Sequence, residues 1–166
     1  MLAGPLALII SGSDALTPAS PVKRKKSTEI MFESAVVKVS LTQQRELPIF
    51  CVEAVGGCFA IDEVSVEGVL EATETLLDRG EPFVTLWDLK LCPIPTGACV
   101  FKCLKWAISN KARLDAANKK MAVILPPTRL VILAVVRNVL TAFGPTCPVR
   151  ATSDSTSAIS FLGVPE

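Results

Sequence analysis

Hydrophobic and polar positions fall into short periodic blocks from Glu29 onward. The stretch 31–39, MFESAVVKV, is β-branched and partly alternating, and predicts a strand. A polar turn over 41–46 separates it from a second expected strand, LPIFCVEA, at 47–54. Gly56 and Gly57 signal a turn, and CFAI at 58–61 predicts a short third strand. Val66, Val69, Leu70, Thr73, Leu76 and Leu77 recur at helical spacing and predict a helix over 64–79. Asp62 or Ser65 would cap it, Glu63 and Glu67 suit its positive end, and Gly80 would close it.

The next block, FVTLWDL at 83–89, is almost wholly apolar, the mark of a central strand covered on both faces. Pro93, Pro95 and Gly97 mark a loop, with Thr96 as a cap for a helix over 97–118. Its expected inward stripe is Val100, Leu104, Ala107, Ile108 and Leu114. That choice turns Trp106 outward, alongside Lys102 and Arg113. MAVIL at 121–125 predicts another buried strand. Pro126 and Pro127 break the chain before a core helix over 128–143, which Gly144-Pro145 ends. A last strand at 147–151 and a helix at 155–162, capped by Asp154 or Ser155, complete the set.

Strand and helix alternate in the second half, which predicts an α/β fold. Its sheet should be mixed but mostly parallel, with about four helices and parallel strands at 83–89, 121–125 and 147–151. Right-handed crossovers would gather the loops after those strands on one rim. Residues 1–28 read as a flexible leader and 29–166 as a single domain.

Composition narrows the chemistry. The chain has 166 residues, half of them hydrophobic, and a formal net charge of +1, so no global charge draws it to nucleic acid or anionic lipid. It has no histidine and no tyrosine, which excludes Ser-His and Cys-His triads and His-ligated zinc or haem. Five of the six cysteines sit in apolar runs and read as reduced thiols in a cytoplasmic protein. The apolar stretch Leu2 to Ile10 is too short to span a membrane, so no stable span is expected. Lys23-Arg24-Lys25-Lys26 reads as a solvated charge run in a linker, with nuclear localisation as the sharper alternative.

The order of elements resembles a STAS domain, the fold of bacterial anti-sigma-factor antagonists, over about 29–163. The carriers are the opening strand pair, the helix ending at Gly80, VTLWDL ending in Asp88, the Thr96-Gly97 helix start, MAVILPP, and the ending FGPTCPVRATSDSTSAISFL. The resemblance implies a non-catalytic regulatory module that binds a protein partner. In that family a phosphorylated serine precedes a Ser-Gly pair at the start of the helix after the Asp-ended strand. Here Pro95 stands at the phosphorylated position and Thr96 at the second hydroxyl. The similar core of CRAL-TRIO proteins implies the alternative, a carrier of a lipid or another small ligand.

No constellation for catalysis emerges. Asp88 stands at a strand end without a second carboxylate nearby, and such a residue commonly holds loop N–H groups. Cys99 lies in the first turn of a helix with only Lys102 as a cation on its face. No enzyme activity, cofactor, metal or nucleic-acid partner is expected. An outward Trp106 flanked by cations would either anchor a partner protein or be covered by a flanking segment of the chain such as the leader. The expected docking surface runs from the loop 90–97 onto the outer face of the next helix. Its residues are Asp88, Lys90, Pro95, Thr96, Gly97, Lys102, Trp106 and Arg113.

Overall fold

The computed structural model describes residues 27–44, 46–56, 61–92, 96–127 and 146–163. Where one strand was expected over 31–39, the chain forms a hairpin of β1 (Thr28–Glu33) and β2 (Val37–Thr42). Ser34 makes the turn. Its Oγ accepts from Val36 N at 3.2 Å and Val37 N at 3.1 Å, and its own N–H donates to Val37 O at 2.8 Å. A serine competing for backbone groups in this way interrupts a β-branched run that periodicity reads as continuous. The expected polar turn shrinks accordingly, because Leu41 and Thr42 belong to β2.

β3 (Ile49–Ala54) follows, then α1 (Glu63–Asp78), β4 (Phe83–Asp88), α2 (Gly97–Ser109) and α3 (Lys111–Ala117). The chain ends in β5 (Asn118–Ile124), β6 (Val149–Thr152) and α4 (Ser155–Leu162). Asp62 caps α1, accepting from Ser65 N at 2.7 Å, and Asp154 caps α4 through Thr156 N and Ser157 N. Gly80 takes φ +69° just past α1, as a helix-ending glycine does. The expected helix over 97–118 breaks at Asn110, and strand β5 begins three residues earlier than its apolar run. The helix expected over 128–143 lies outside the described residues, as does 58–60 of the expected third strand; Ile61 is not in a strand.

The six strands lie in sequence order. The first two pairings are antiparallel, and β3/β4, β4/β5 and β5/β6 are parallel, giving the mixed, mostly parallel α/β sheet. Alternation along the strands sorts two faces. Val39, Leu41, Phe50, Val52 and Phe83 face α1, and α3 adds Leu114 to the same core. Ile49, Val84, Ala122 and Ile124 face α4, which contributes Ala158 and Leu162.

Helix α1 lies over the β1–β2 end of the sheet, and one glycine makes that possible. A Cβ at Gly68 would sit 2.2 Å from Phe32 Cε2, so the Phe32 ring occupies the space a side chain would need. In an open helix Gly→Ala stabilises by about 1 kcal/mol. Here Gly68→Ala must evict the ring from the core, and overpacking of this kind costs about 1–3 kcal/mol. Urea melts of Gly68→Ala should show net destabilisation, and Phe32→Leu in that background should recover part of it. An unchanged or raised midpoint for the single variant would refute the close packing.

Candidate functional site

The rim at the carboxyl ends of the parallel strands carries the residues that the sequence singled out first. β4 ends at Asp88, whose Oδ1 accepts from Lys90 N at 3.2 Å while Oδ2 lies 3.3 Å from Lys90 Nζ. Lys90 Nζ also donates to Ser155 Oγ at 2.6 Å, tying the β4 exit to the first turn of α4. Asp88 therefore holds its own loop, the structural role open to a lone carboxylate at a strand end. Thr96 caps α2, its Oγ1 accepting from Cys99 N at 3.3 Å, and Gly97 opens the helix in solvent. Pro95 lies outside the described residues.

Trp106, Lys102 and Arg113 are not a free outward surface: each is paired with a carboxylate of α1, the indole half-buried and the Arg113 side chain exposed. Helix α1 carries Glu67, Glu74 and Asp78 along one side. Lys102 pairs with Glu67, Trp106 Nε1 donates to Glu74 Oε1 at 2.6 Å, and Arg113 pairs with Asp78. The Glu67 carboxylate holds the Lys102 ammonium above its ordinary pKa. The indole is half-buried against the core shared by α1, α3 and the sheet. Two partners on α2 and one on α3 thus meet three carboxylates on α1, and the expected anchor residues stitch the fold together. Among the described residues no hydrogen bond or ion pair joins this group to Asp88 and Lys90, which contact α4 on the opposite sheet face.

The correction has a physical cause. Of the expected stripe, Ala107 and Leu114 pack on the core and Leu104 is half-buried, but Val100 and Ile108 are not core residues, and Cys99, Cys103 and Trp106 share the inward side of α2. These sit at i, i+4 and i+7, and soft sulfur and an indole fill the seam. Val100 is 41% exposed, Ile108 53% and Phe101 70%. Sequence reasoning missed Phe101 altogether; its signal was the second periodic set of cysteines and tryptophan, which leaves Phe101 on the far side. Nearby on the rim, Leu91 is exposed and packs beside Gly56, where a Cβ would lie 3.1 Å from Leu91 Cδ1.

The thiols offer little nucleophilic chemistry. Cys51, Cys99, Cys103 and Cys147 are free, and Cys58 lies outside the described residues. Burial, reinforced by the Glu53 and Asp88 carboxylates, pushes Cys51 up to about 11, and burial raises Cys103 and Cys147 as well. Among the described residues no group of three or more His, Cys, Asp or Glu side chains is placed to hold a metal, and no helix is long and apolar enough to cross a membrane.

Comparison with known proteins bears on the fold. No family model matches the chain, and no curated protein matches it. A solved structure does: an uncharacterised protein from the DUF3478 family with a SpoIIAA-like fold, from Shewanella loihica PV-4. The two share a TM-score of 0.59 at 16% identity, over 76% of this chain and 94% of the other. The fold is SpoIIAA-like. SpoIIAA-like and STAS folds are related, so the architecture implied by the order of elements is the one observed.

The seam makes a stability prediction. Trp106→Phe removes the bond to Glu74 with part of the ring's packing and should cost about 1–2 kcal/mol. Trp106→Ala also empties a half-buried site and should cost about 2–3 kcal/mol, below the range for a fully buried aromatic. Denaturant melts of the two variants check this; an unaffected Trp106→Ala would return the indole to solvent. A second expectation concerns pH. The folded Cys51 thiol holds its proton to about 11 against an ordinary value of 9.0. Its contribution to stability is complete below pH 9 and lost as pH rises toward 11. Cys51→Ala should flatten that alkaline slope in denaturant midpoints measured across this window.

Proposed function

We propose that this protein is a non-catalytic regulatory module whose partner protein docks on the outer face of α2 and the adjoining loop 90–97. The observation that carries the reading is the apolar set Val100, Phe101 and Ile108, turned to solvent on a helix whose other side is already committed to α1. Helices on globular proteins turn their apolar stripe inward. Here a second apolar face remains after the core is satisfied, and a contiguous exposed apolar surface of that kind commonly marks an interaction site. Leu91, at the start of the loop, is exposed as well. The SpoIIAA-like fold supports the reading by analogy, since related STAS domains act through protein partners.

Phe101 replaces Trp106 as the anchor in this reading. Thr96 and Gly97 border the surface at the helix start, while Asp88 and Lys90 shape the loop that flanks it. Lys102 and Trp106 act from behind, fixing the rotation of α2, while Arg113 ties α3 to the same helix α1. The alternative of a lipid or small-ligand carrier calls for an enclosed apolar chamber. In the described residues the space between sheet and helices is filled by Leu41, Phe50, Leu76 and Phe83, each at or below 2% exposed.

The test is a matched pair of variants. Phe101→Glu should leave the thermal midpoint nearly unchanged, because an exposed side chain loses few contacts. It should weaken a purified partner, found by affinity capture on the wild-type protein, by about 30-fold or more in calorimetry. Ile30→Lys, on the first strand, is the control and should bind as wild type. A partner indifferent to Phe101→Glu would overturn the assignment of this face.

A further inference from the structure

A second surface lies on the other side of the molecule. Among the described residues β1 is the edge of the sheet. Ser27 O accepts from Gln43 N, so antiparallel alternation turns the N–H and C=O of Thr28 and Ile30 away from β2, toward the open edge. Beside that edge runs a groove of about 260 Å³, walled by Glu29, Ile30, Met31 and Phe32 of β1 and by a stripe of α1 that includes Glu71, Ala72 and Arg79. The register shift between Ile30 and Phe32 goes with Met31 and Phe32 both packing against the core under α1, so their side chains are the apolar part of a groove otherwise lined by polar groups. The Glu29 and Arg79 side chains close part of the wall with two bonds of 2.8 and 3.0 Å, which neutralises both. Glu71 stands at the lip with no ion pair among the described residues, and Glu33 is exposed at the end of the strand.

An open strand edge beside a strand–helix groove is the arrangement that accepts an extended peptide as an added strand. We propose that the β1–α1 groove binds an extended segment of a partner protein carrying a lysine or arginine. The segment pairs with the free groups of Thr28 and Ile30. Its basic side chain lays an aliphatic stem on Met31, Phe32 and Ala72 and sets its charge against Glu71. Charge selects this occupant. With Glu29 and Arg79 cancelling, the groove keeps the unpaired carboxylate of Glu71. A second copy presenting the same β1 edge would bring a matching Glu71 carboxylate and no cation of its own to pair with it. This surface is separate from the α2 face, and the inference stands whether or not that face binds a partner.

The experiment uses the full chain with a fluorescein-labelled peptide, Thr-Val-Lys-Val-Thr-Val-Lys-Thr, and its twin with glutamate in place of both lysines. Amide NMR spectra should show shifts on adding the lysine peptide, concentrated in 28–33 and 68–79. Anisotropy titration should give tighter binding of the lysine peptide, and Glu71→Gln should weaken it about tenfold while leaving the glutamate twin unchanged. Ile30→Pro removes an outward N–H that β2 does not use, a change edge strands tolerate, and should reduce binding of the lysine peptide strongly with the melt preserved. If that variant melts early, the Glu71→Gln comparison decides alone, since Glu71 is exposed and its change spares the core. Shifts that map elsewhere, equal affinity for the two peptides, or no binding at millimolar peptide would overturn the proposal. So would a concentration-dependent dimer in sedimentation velocity that Ile30→Pro abolishes, because the edge would then belong to a second copy.

Discussion

The seam between α1 and α2 sets the outward character of this protein. An isolated surface ion pair contributes little, because water screens it and two long side chains must be held still. The seam does not rely on ion pairs alone. Trp106 packs its ring into the core and gives its N–H to Glu74, which fixes the helix at one angle about its axis. Lys102, one turn before, then meets Glu67 as a consequence of that angle, and beyond the break at Asn110 Arg113 of α3 meets Asp78. With Trp106, Cys99 and Cys103 inside, geometry leaves Phe101 and Ile108 in solvent. The indole thus determines what the helix shows to the outside without being shown itself.

The architecture was legible where one periodicity dominated. α1 carries a single apolar face, a cap at Asp62 and a stop at Gly80, and its bounds match the pattern within a residue. β4 and α4 were equally plain. The pattern failed where two readings competed. In 31–39 the β-branched residues outweighed one serine whose hydroxyl makes a turn. On α2, aliphatic side chains outweighed cysteine and tryptophan, although the latter set carries the packing. The carboxylates that decide the matter sit on another helix, 32 to 35 positions away in sequence, and no local pattern relates them to Lys102, Trp106 or Arg113. The rim residues Asp88 and Thr96 were placed correctly as strand end and helix cap. Their local bonds, to Lys90 and Cys99, are short-range and so readable in advance.

The sheet itself is divided in character along its width. Its first two strands are joined by a tight hairpin and presented at an edge, while the later strands are parallel and enter through crossovers. The Ser34 hydroxyl, which organises the hairpin turn, also meets the fully buried Ser65 hydroxyl at 2.9 Å. That contact locks the hairpin to the first turn of α1. The edge strand is therefore held at both ends, by Ser34 at one and by the Glu29–Arg79 pair at the other. A strand anchored this way presents its free backbone groups in a fixed line, which lowers the ordering cost of any chain that lies along it.

The join between α3 and β5 has a different consequence. Ala117 ends the helix and Asn118 begins the strand, with no residue between them. Asn118 is 3% exposed, and its side-chain carbonyl Oδ1 has no hydrogen-bond partner among the described residues. There is no slack in the chain at this point, so a one-residue insertion or deletion cannot be taken up in a loop. It must either rotate α3 by a full helical step or slip β5 in its register and exchange its two faces. Between these elements the length of the chain is fixed as firmly as any side chain in the core. Evolution of this region is thereby confined to substitution, while changes in length are diverted to the connections elsewhere.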